Sequence, residues 1–401
     1  MLPGSELGAK GLEYRCAVSA ATDSEPISHV AALDGLRGLA ATVVVLRHTF
    51  NAIPMPVPFR RSLLESPLAL ALNAQGAVQL FFVLSGWVLA ASLARRAESA
   101  PWIGFYVRRV FRIQLPYASA IALAWIASAA WGIAPDAPVT PWLGRARNVD
   151  VSLAEFANAL LFPGTAHGLL PVGWTLRLEM IYSFAMPLLV LAARYGRGLV
   201  VLLASTLVFA TPYVDLWYLV DFAIGAVLFQ EQGTVCRVLA LLGSRLRALV
   251  LLVACGLFAA QVALATDRVV AGTIEAGDAW YFIAATALAS GIFVALASSG
   301  FLAALARPAN RFQGRISYST YLLHRTVLTL LAPSVLVIEV TATSTGYMRR
   351  VTPSSAAALF VIVLGLSILL AIPHYRFVER PSIALGGRVA RRLAARRSAR
   401  S

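Results

Sequence analysis

Apolar residues run in long blocks along most of the chain, and short polar or proline-containing segments separate them. Ten blocks approach the length of about 20 residues that an α-helix needs to cross a bilayer. They lie at residues 32–52, 76–94, 114–134, 173–193, 198–212, 214–231, 246–266, 279–305, 316–340 and 355–377. The pattern predicts an all-α, polytopic membrane helix bundle of about ten transmembrane helices, formed by one domain over residues 31–381.

Two tails flank the predicted membrane domain. Residues 1–30 are polar and mixed in charge, without the apolar core of a signal peptide, and they predict a disordered cytoplasmic tail. Residues 382–401 are rich in arginine, which is typical of a surface segment attracted to anionic lipid headgroups.

The composition supports a membrane protein and argues against a nucleic-acid partner. Hydrophobic residues make up 59% of the chain and charged residues 13%, whereas soluble proteins carry about 25% charged residues. The net charge of +15 comes from arginines that stand between apolar blocks, as the positive-inside rule predicts for cytoplasmic loops. Counting them places both termini in the cytoplasm. The 3 cysteines have no metal-ligand spacing and predict neither a disulfide framework nor a metal site.

The first block, LDGLRGLAATVVVLRHTF, carries titratable groups where they are costly. A charged group inside a bilayer costs at least about 2.5 kcal/mol unless it faces the protein interior, so such groups are candidates for function. Arg37 and His48 are 11 residues apart, which places them on one helix face and about 16 Å apart along the axis. Asp34 can neutralise Arg37 from position i−3. The alternative is a topology anchor and a buried, hydrogen-bonded histidine.

Two further polar groups lie at the second and third blocks. Ser85 and Gly86 interrupt FFVLSGWVLA, and such a pair either lets two helices approach closely or contacts a substrate. Arg108, Arg109 and Arg112 gather at the predicted cytoplasmic mouth of the third block. They either anchor the helix on that side or bind a phosphorylated ligand, because guanidinium groups match phosphate oxygens bidentately.

The fourth block contains a carboxylate, Glu179, in GWTLRLEMIYSFAMP. It lies about 9 Å below the predicted outer entry, and His48 lies about 22 Å above the inner one. Because the hydrocarbon core is about 30 Å thick, these depths coincide and predict a contact in which Glu179 orients the imidazole. The alternative is an ion pair with Arg177 or another buried arginine. His324 and Asp221 are further polar residues in the blocks, without an assigned role.

Six stretches, in order, resemble the acyltransferase-3 family of integral membrane O-acyltransferases. They are LDGLRGLAATVVVLRH, LFFVLSGWVL, RRVFRI with a following Pro-Tyr, W-T-L-x-x-E, ISYSTYLLH and FVERP, and they extend from residue 33 to 381. Two details depart from the family pattern. The segment from Arg112 to Pro116 is one residue longer than R-I-x-P, and Met180 replaces the second acid that often follows the position of Glu179.

The resemblance implies transfer of an acyl group, usually acetyl, from cytoplasmic acyl-CoA to a hydroxyl of a carbohydrate or glycolipid acceptor, without a metal, in the bacterial inner membrane. It implies His48 as the catalytic histidine and Arg37 as its motif partner, and Arg108, Arg109 and Glu179 match positions that the family treats as functional. Further candidates in or beside these motifs are Arg112 for the donor and, for the substrate, Asp34, Ser85 and Trp174.

These residues suggest a mechanism and leave one competing class. The four arginines would hold the CoA phosphates, the pantetheine arm would reach His48, and His48 would act as general base with Glu179 orienting it. A covalent acyl-histidine intermediate is an open alternative. The competing class is a proton-coupled transporter in which His48, Glu179 and Asp221 relay protons. The sequence lacks the internal repeats that are typical of transporters, and it does not identify the acceptor.

Overall fold

A computed structural model of the chain describes residues 31–94, 102–130, 139–144, 152–164, 169–196, 198–271, 280–343 and 346–398. The predicted tail at residues 1–30 lies outside these ranges. The α-helices are α1 (Ala31–Ala52), α2 (Val57–Leu64), α3 (Ala74–Ala94), α4 (Trp102–Ala130), α5 (Pro141–Gly144), α6 (Leu153–Leu161), α7 (Gly173–Gly196), α8 (Gly198–Thr206), α9 (Val214–Trp217), α10 (Leu219–Gln230), α11 (Gln232–Leu241), α12 (Ser244–Ala271), α13 (Trp280–Ser298), α14 (Pro308–Val335), α15 (Pro353–His374) and α16 (Arg380–Ser398).

The chain is a multi-pass membrane protein built from apolar helices. Six described helical runs are long and apolar enough to cross a bilayer: α3, α4, α7, α12, α13 and the continuous run of α15 with α16. The helices over the predicted fifth and sixth spans are short, since α8 has 9 residues and α10 has 12. The count of ten crossing helices and the cytoplasmic position of both termini therefore stay predictions.

One β-hairpin interrupts the helical pattern of the described residues. Strands β1 (Ile338–Thr343) and β2 (Gly346–Val351) pair antiparallel, with Ile338 opposite Val351. The apolar block at 316–340 gives no sign of the boundary between α14 and the hairpin. Helix α14 already ends at Val335, two residues after Pro333. The segment IEVTAT that follows is rich in β-branched residues, which favour strands.

Helices α4 and α16 extend beyond the predicted block limits. Helix α4 begins at Trp102, 12 residues before the predicted start at 114, so the arginine cluster lies on the helix itself. The arginine-rich C-terminal segment is helical to Ser398 and joins α15 through a π-helical turn at Tyr375–Glu379. It packs along α4, and a Cβ added at Gly386 would lie 2.8 Å from Phe111 Cβ.

Helix α1 lies at the centre of the bundle and packs most extensively on α14. Both helices carry charged residues, which is why neither reaches the apolarity of the six crossing runs. Glycines at the crossing let the two backbones approach closely. A Cβ at Gly38 would lie 2.9 Å from the backbone nitrogen of Gly314, and a Cβ at Gly314 would overlap the carbonyl oxygen of Asp34.

The substitution Gly314→Ala is therefore expected to destabilise the protein. The added methyl group meets backbone atoms of α1, which cannot rotate away, and overpacking of this kind costs about 1–3 kcal/mol. Gly365→Ala is the matched control, because a Cβ at this helical glycine meets no atom within 4 Å. Thermal unfolding in detergent should show a lower midpoint for Gly314→Ala and an unchanged or higher one for Gly365→Ala. Equal midpoints for the two variants would contradict the close α1–α14 contact.

Candidate active site

Five helices, α1, α3, α4, α7 and α14, surround a cavity that is rich in arginine, which we call the basic cavity. It encloses about 730 Å³ of empty space that is partly open to solvent. Its charged lining residues are Arg37 of α1, Arg109 and Arg112 of α4, and Glu179 of α7. The chain thus brings together residues from three of the motifs that sequence analysis singled out.

The charges around the basic cavity are mostly positive. The Arg37 guanidinium lies 3.8 Å from the Asp34 carboxylate, the i−3 pair that the sequence predicts. Arg112 and Glu179 also act electrostatically on Arg37, with opposite signs. Since one carboxylate and three guanidinium groups line the cavity, it is suited to an anionic ligand with several oxygens.

Ser85 and Gly86 take separate roles. Ser85 lines the basic cavity, and its hydroxyl donates a hydrogen bond to Glu179 Oε1 at 3.3 Å. Gly86 faces the other way and lies against the backbone of Phe222 in α10, where a Cβ would overlap the Phe222 carbonyl oxygen. Helix packing, the first alternative for this pair, therefore describes Gly86. The second alternative, a substrate contact, stays a prediction for Ser85.

Arg108 differs from its neighbours in position. It is not among the residues that line the basic cavity. Its guanidinium Nη1 lies close to Gly104, one turn earlier on α4, and its Cα is next to Gly386 of α16. The arginine cluster of the sequence is thus divided by the helix into two residues facing the cavity and one facing α16.

A second cavity, the histidine cavity, lies toward the C-terminal end of α1. It encloses about 890 Å³ of partly open space. Its polar and aromatic lining residues are Gln75, Trp142, Trp174, Tyr321, Arg325 and His48. The imidazole of His48 meets that of His324 edge to edge, with ring centroids 5.0 Å apart and ring planes inclined by 19°. Sequence analysis placed His48 and Trp174 in the site and left His324 without a role.

The hydrogen bonds of His324 determine the tautomer of His48. His324 Nδ1 lies 2.7 Å from the backbone carbonyl oxygen of Tyr321, which can only accept, so this nitrogen carries the hydrogen. In a neutral imidazole the other nitrogen is then an acceptor, and His324 Nε2 lies 2.7 Å from His48 Nδ1. His48 therefore donates from Nδ1 and keeps the lone pair on Nε2, the arrangement that a general base needs.

The predicted contact between Glu179 and His48 is wrong. Glu179 lines the basic cavity, whereas Trp174 of the same helix lines the histidine cavity. The depth estimate failed because it took Gly173 as the membrane surface, while the preceding residues Leu170 and Val172 are buried in the protein. Five further residues carry Glu179 about 7.5 Å along α7, away from His48.

The structure does not pair Glu179 with Arg177, the first form of the ion-pair alternative. Arg177 pairs with Asp215, with Nη2 2.7 Å from Oδ2, and both side chains are about half exposed. The positive charges that Glu179 acts on are those of Arg37 and Arg109. Glu179 thus belongs to the arginine network of the basic cavity.

The two cavities share part of their walls. Val78 of α3 and Tyr321 of α14 line both. The Tyr321 hydroxyl is fixed by a 2.8 Å hydrogen bond with Thr175 Oγ1, at the level where the cavities meet. Because Arg37 and His48 stand on one face of α1, about 16 Å apart, the cavities are stacked along this helix.

Two other buried acids lie apart from both cavities. Asp221 is fully buried next to Gln79, whose Nε2 lies 3.4 Å from Oδ1, at the contact between α3 and α10. Glu379 accepts a 2.6 Å hydrogen bond from Ser319 and is buried. Neither lines the basic or the histidine cavity, so we assign both to helix packing.

Comparison with known proteins identifies the family. The family model of acyltransferase-3, described as an acyltransferase domain, matches residues 30–375. No curated protein and no solved structure matches the chain. The matched segment includes the arginines of the basic cavity and both histidines of the hydrogen-bonded pair. The chain belongs to the acyltransferase-3 family of membrane acyltransferases.

Proposed function

We propose that this protein transfers an acyl group from acyl-CoA to a hydroxyl of a carbohydrate or glycolipid acceptor, with the donor in the basic cavity and the acceptor hydroxyl in the histidine cavity. The observation that carries the proposal is the shared wall. Val78 and Tyr321 line both a cavity rich in guanidinium groups and a cavity that contains an oriented imidazole. An acyl donor with an anionic head and a reactive thioester at the end of a long arm fits this layout.

The basic cavity would hold the phosphates of CoA. Arg37, Arg109 and Arg112 offer planar donor forks, which bind phosphate oxygens bidentately. Asp34 and Glu179 would keep these guanidinium groups in place, because each interacts with at least one of them. The pantetheine arm would then cover the distance of about 16 Å to His48. CoA would enter the basic cavity from the cytoplasmic side. The distribution of arginines predicts this orientation for a protein of the bacterial inner membrane.

His48 would act as general base on the acceptor. Its Nε2 lone pair takes the proton of the acceptor hydroxyl while the oxygen attacks the thioester carbon and forms the new C–O bond. The tetrahedral intermediate then breaks its C–S bond, and the CoA sulfur leaves and takes the proton from Nε2. The products are the acyl ester and CoA, and the histidine returns to its starting state. His324 is the positioning residue, because its hydrogen bond holds the proton of His48 on Nδ1. An acetyl group is the donor acyl that the family likeness favours.

A larger side chain at the shared wall is expected to separate donor binding from turnover. Val78→Phe would fill the passage between the cavities, so the thioester could no longer reach His48, while the arginines stay free to bind phosphates. We expect acyl transfer from acetyl-CoA to fall at least about tenfold, since displacement of the reacting groups by about 1 Å can cost a hundredfold. The affinity for CoA, measured by calorimetry in detergent, should change less than about threefold.

Val78→Ala is the matched control and should keep both properties. It removes volume from the same position of α3 and leaves the passage open. Full transfer by Val78→Phe would show that the acyl group does not pass this point. If both variants lost CoA binding and acyl transfer alike, that result would also contradict the proposed route.

A further inference from the structure

Arg325 is a buried cation in the histidine cavity to which neither the sequence motifs nor the proposed reaction assigns a role. Its residue exposure is only 2%, yet it lines the cavity. Its Nε and Nη1 atoms are buried without a hydrogen-bond partner in the described part of the protein. Burying a charge without a partner is among the costliest arrangements in a protein, and within a membrane domain it marks a functional site.

The surroundings of Arg325 are aromatic and cationic. The guanidinium carbon lies 3.7 Å from the ring centroid of Trp142, which covers one face of the group. The charges of Arg325 and Arg47 act together on His48. No carboxylate is among the residues that line this cavity, and no ion pair of Arg325 occurs within the described ranges. Within the described ranges, no acidic side chain therefore compensates the positive charge of Arg325.

Arg47 shows what a satisfied arginine looks like in the same region. Its Nη1 donates to the carbonyl oxygen of Leu72 at 3.2 Å, and its guanidinium carbon lies 5.9 Å from the ring of Phe50. It does not line the histidine cavity. The two arginines thus differ in two respects that matter for a ligand: Arg325 lines the cavity, and it has donor atoms without a partner among the described residues.

We propose that Arg325 binds an anionic group of the acceptor, a carboxylate or a phosphate, and that the acceptor is therefore an acidic hydroxyl compound. This inference rests on the proposed function, in which the histidine cavity takes the acceptor. The anion would supply the missing partner of the guanidinium and would offset the positive charge that opposes protonation of His48 during the transfer.

The distances fit a small acidic sugar. The His48 ring centre lies 5.4 Å from the Trp142 centroid and the Arg325 guanidinium carbon 3.7 Å from it, so the two groups are at most 9.1 Å apart. An anion in contact with the guanidinium and a hydroxyl in contact with His48 Nε2 would each occupy about 3 Å of this span. At this upper limit about 3 Å remain between the two contacts, a gap that one sugar ring can bridge. Trp142 and Trp174 in the same wall are suited to stack on such a ring.

Binding of small probes to the full-length protein in detergent tests the proposal without requiring turnover. The probes are methyl β-glucuronide, which carries a carboxylate, glucose 6-phosphate, which carries a phosphate, and methyl β-glucoside, which is neutral. Wild type should bind at least one acidic probe about tenfold or more tightly than the glucoside, because hydrogen bonds to charged groups are worth at least that factor. The difference between the two acidic probes identifies which anion the site takes.

Variants connect the preference to the residue. Arg325→Gln should lose the preference for acidic probes over the neutral one, and Arg325→Lys should retain part of this preference. Arg47→Gln is the matched control and should keep the full preference. Equal binding of acidic and neutral probes by wild type would overturn the proposal, as would a preference that persists in Arg325→Gln. Acetyl transfer measured on the same preparations separates the two ideas. If the protein transfers acetyl groups but does not prefer acidic probes, only the role of Arg325 is contradicted. If it prefers acidic probes but does not transfer acetyl groups, only the acyltransferase scheme is contradicted.

Discussion

Replacing His48 by alanine is expected to lower acyl transfer by about 10²–10⁴-fold, the contribution that a positioned general base makes. The reason is geometric: the hydrogen-bonded histidine pair leaves Nε2 of His48 without a proton, and His48 lines the histidine cavity, where we propose that the acceptor binds. The affinity for CoA should stay within about threefold of wild type, because the basic cavity is built from other residues. The measurement is the rate of ester formation from acetyl-CoA beside calorimetric CoA binding.

Two controls distinguish this chemical role from a structural one. His374→Gln alters another buried histidine, which bonds Ser119 and Ser319 outside both cavities, and should leave the rate nearly unchanged. His324→Gln removes the fixed acceptor for Nδ1 and should reduce the rate by less than His48→Ala does, since the base itself remains. A His48→Ala variant that folds, binds CoA and transfers at the wild-type rate would remove His48 from the mechanism.

The second large effect is expected when Arg109 is replaced, because the dissociation constant of the CoA donor should then rise. Arg109→Gln removes a guanidinium that lines the basic cavity and should weaken CoA binding by about ten- to hundredfold, the range for a lost hydrogen bond to a charged group. Arg108→Gln is the matched control. It removes the same charge one residue away, on the face of α4 that meets α16.

Calorimetric titration of CoA into both variants in detergent measures this difference. Arg108→Gln should bind CoA within about threefold of wild type. High salt should weaken binding to wild type more than to Arg109→Gln, because fewer charges then contribute. Equal losses in the two variants would indicate that net charge, and not the cavity, attracts the donor. A loss confined to Arg108→Gln would place the donor site on the opposite face of α4.

The sequence predicted much of this architecture because membrane helices have strong local signals. Long apolar blocks predict α3, α7, α12 and α13 from hydropathy alone. The periodicity of α1 placed Arg37 and His48 on one face, and the cavities are stacked along that face.

Other features depend on contacts between segments that are distant in sequence. Glu179 is separated from His48 because the segment before α7 is buried, which hydropathy does not reveal. The pairing of His48 with His324 joins residues 276 positions apart. The position of Arg325 against Trp142 likewise needs the packed bundle. A histidine followed by an arginine inside an apolar block, as in YLLHRT, was the available signal, because such charges are rare there.

The most direct test of the acyltransferase scheme is the fate of acetyl-CoA labelled in its acetyl group, mixed with purified wild-type protein and membrane glycolipids. We predict that free CoA is released, that the label appears as an ester in the glycolipid fraction, and that His48→Ala abolishes both. Proton-driven flux of a solute without label transfer, or the absence of both CoA binding and CoA release, would contradict it.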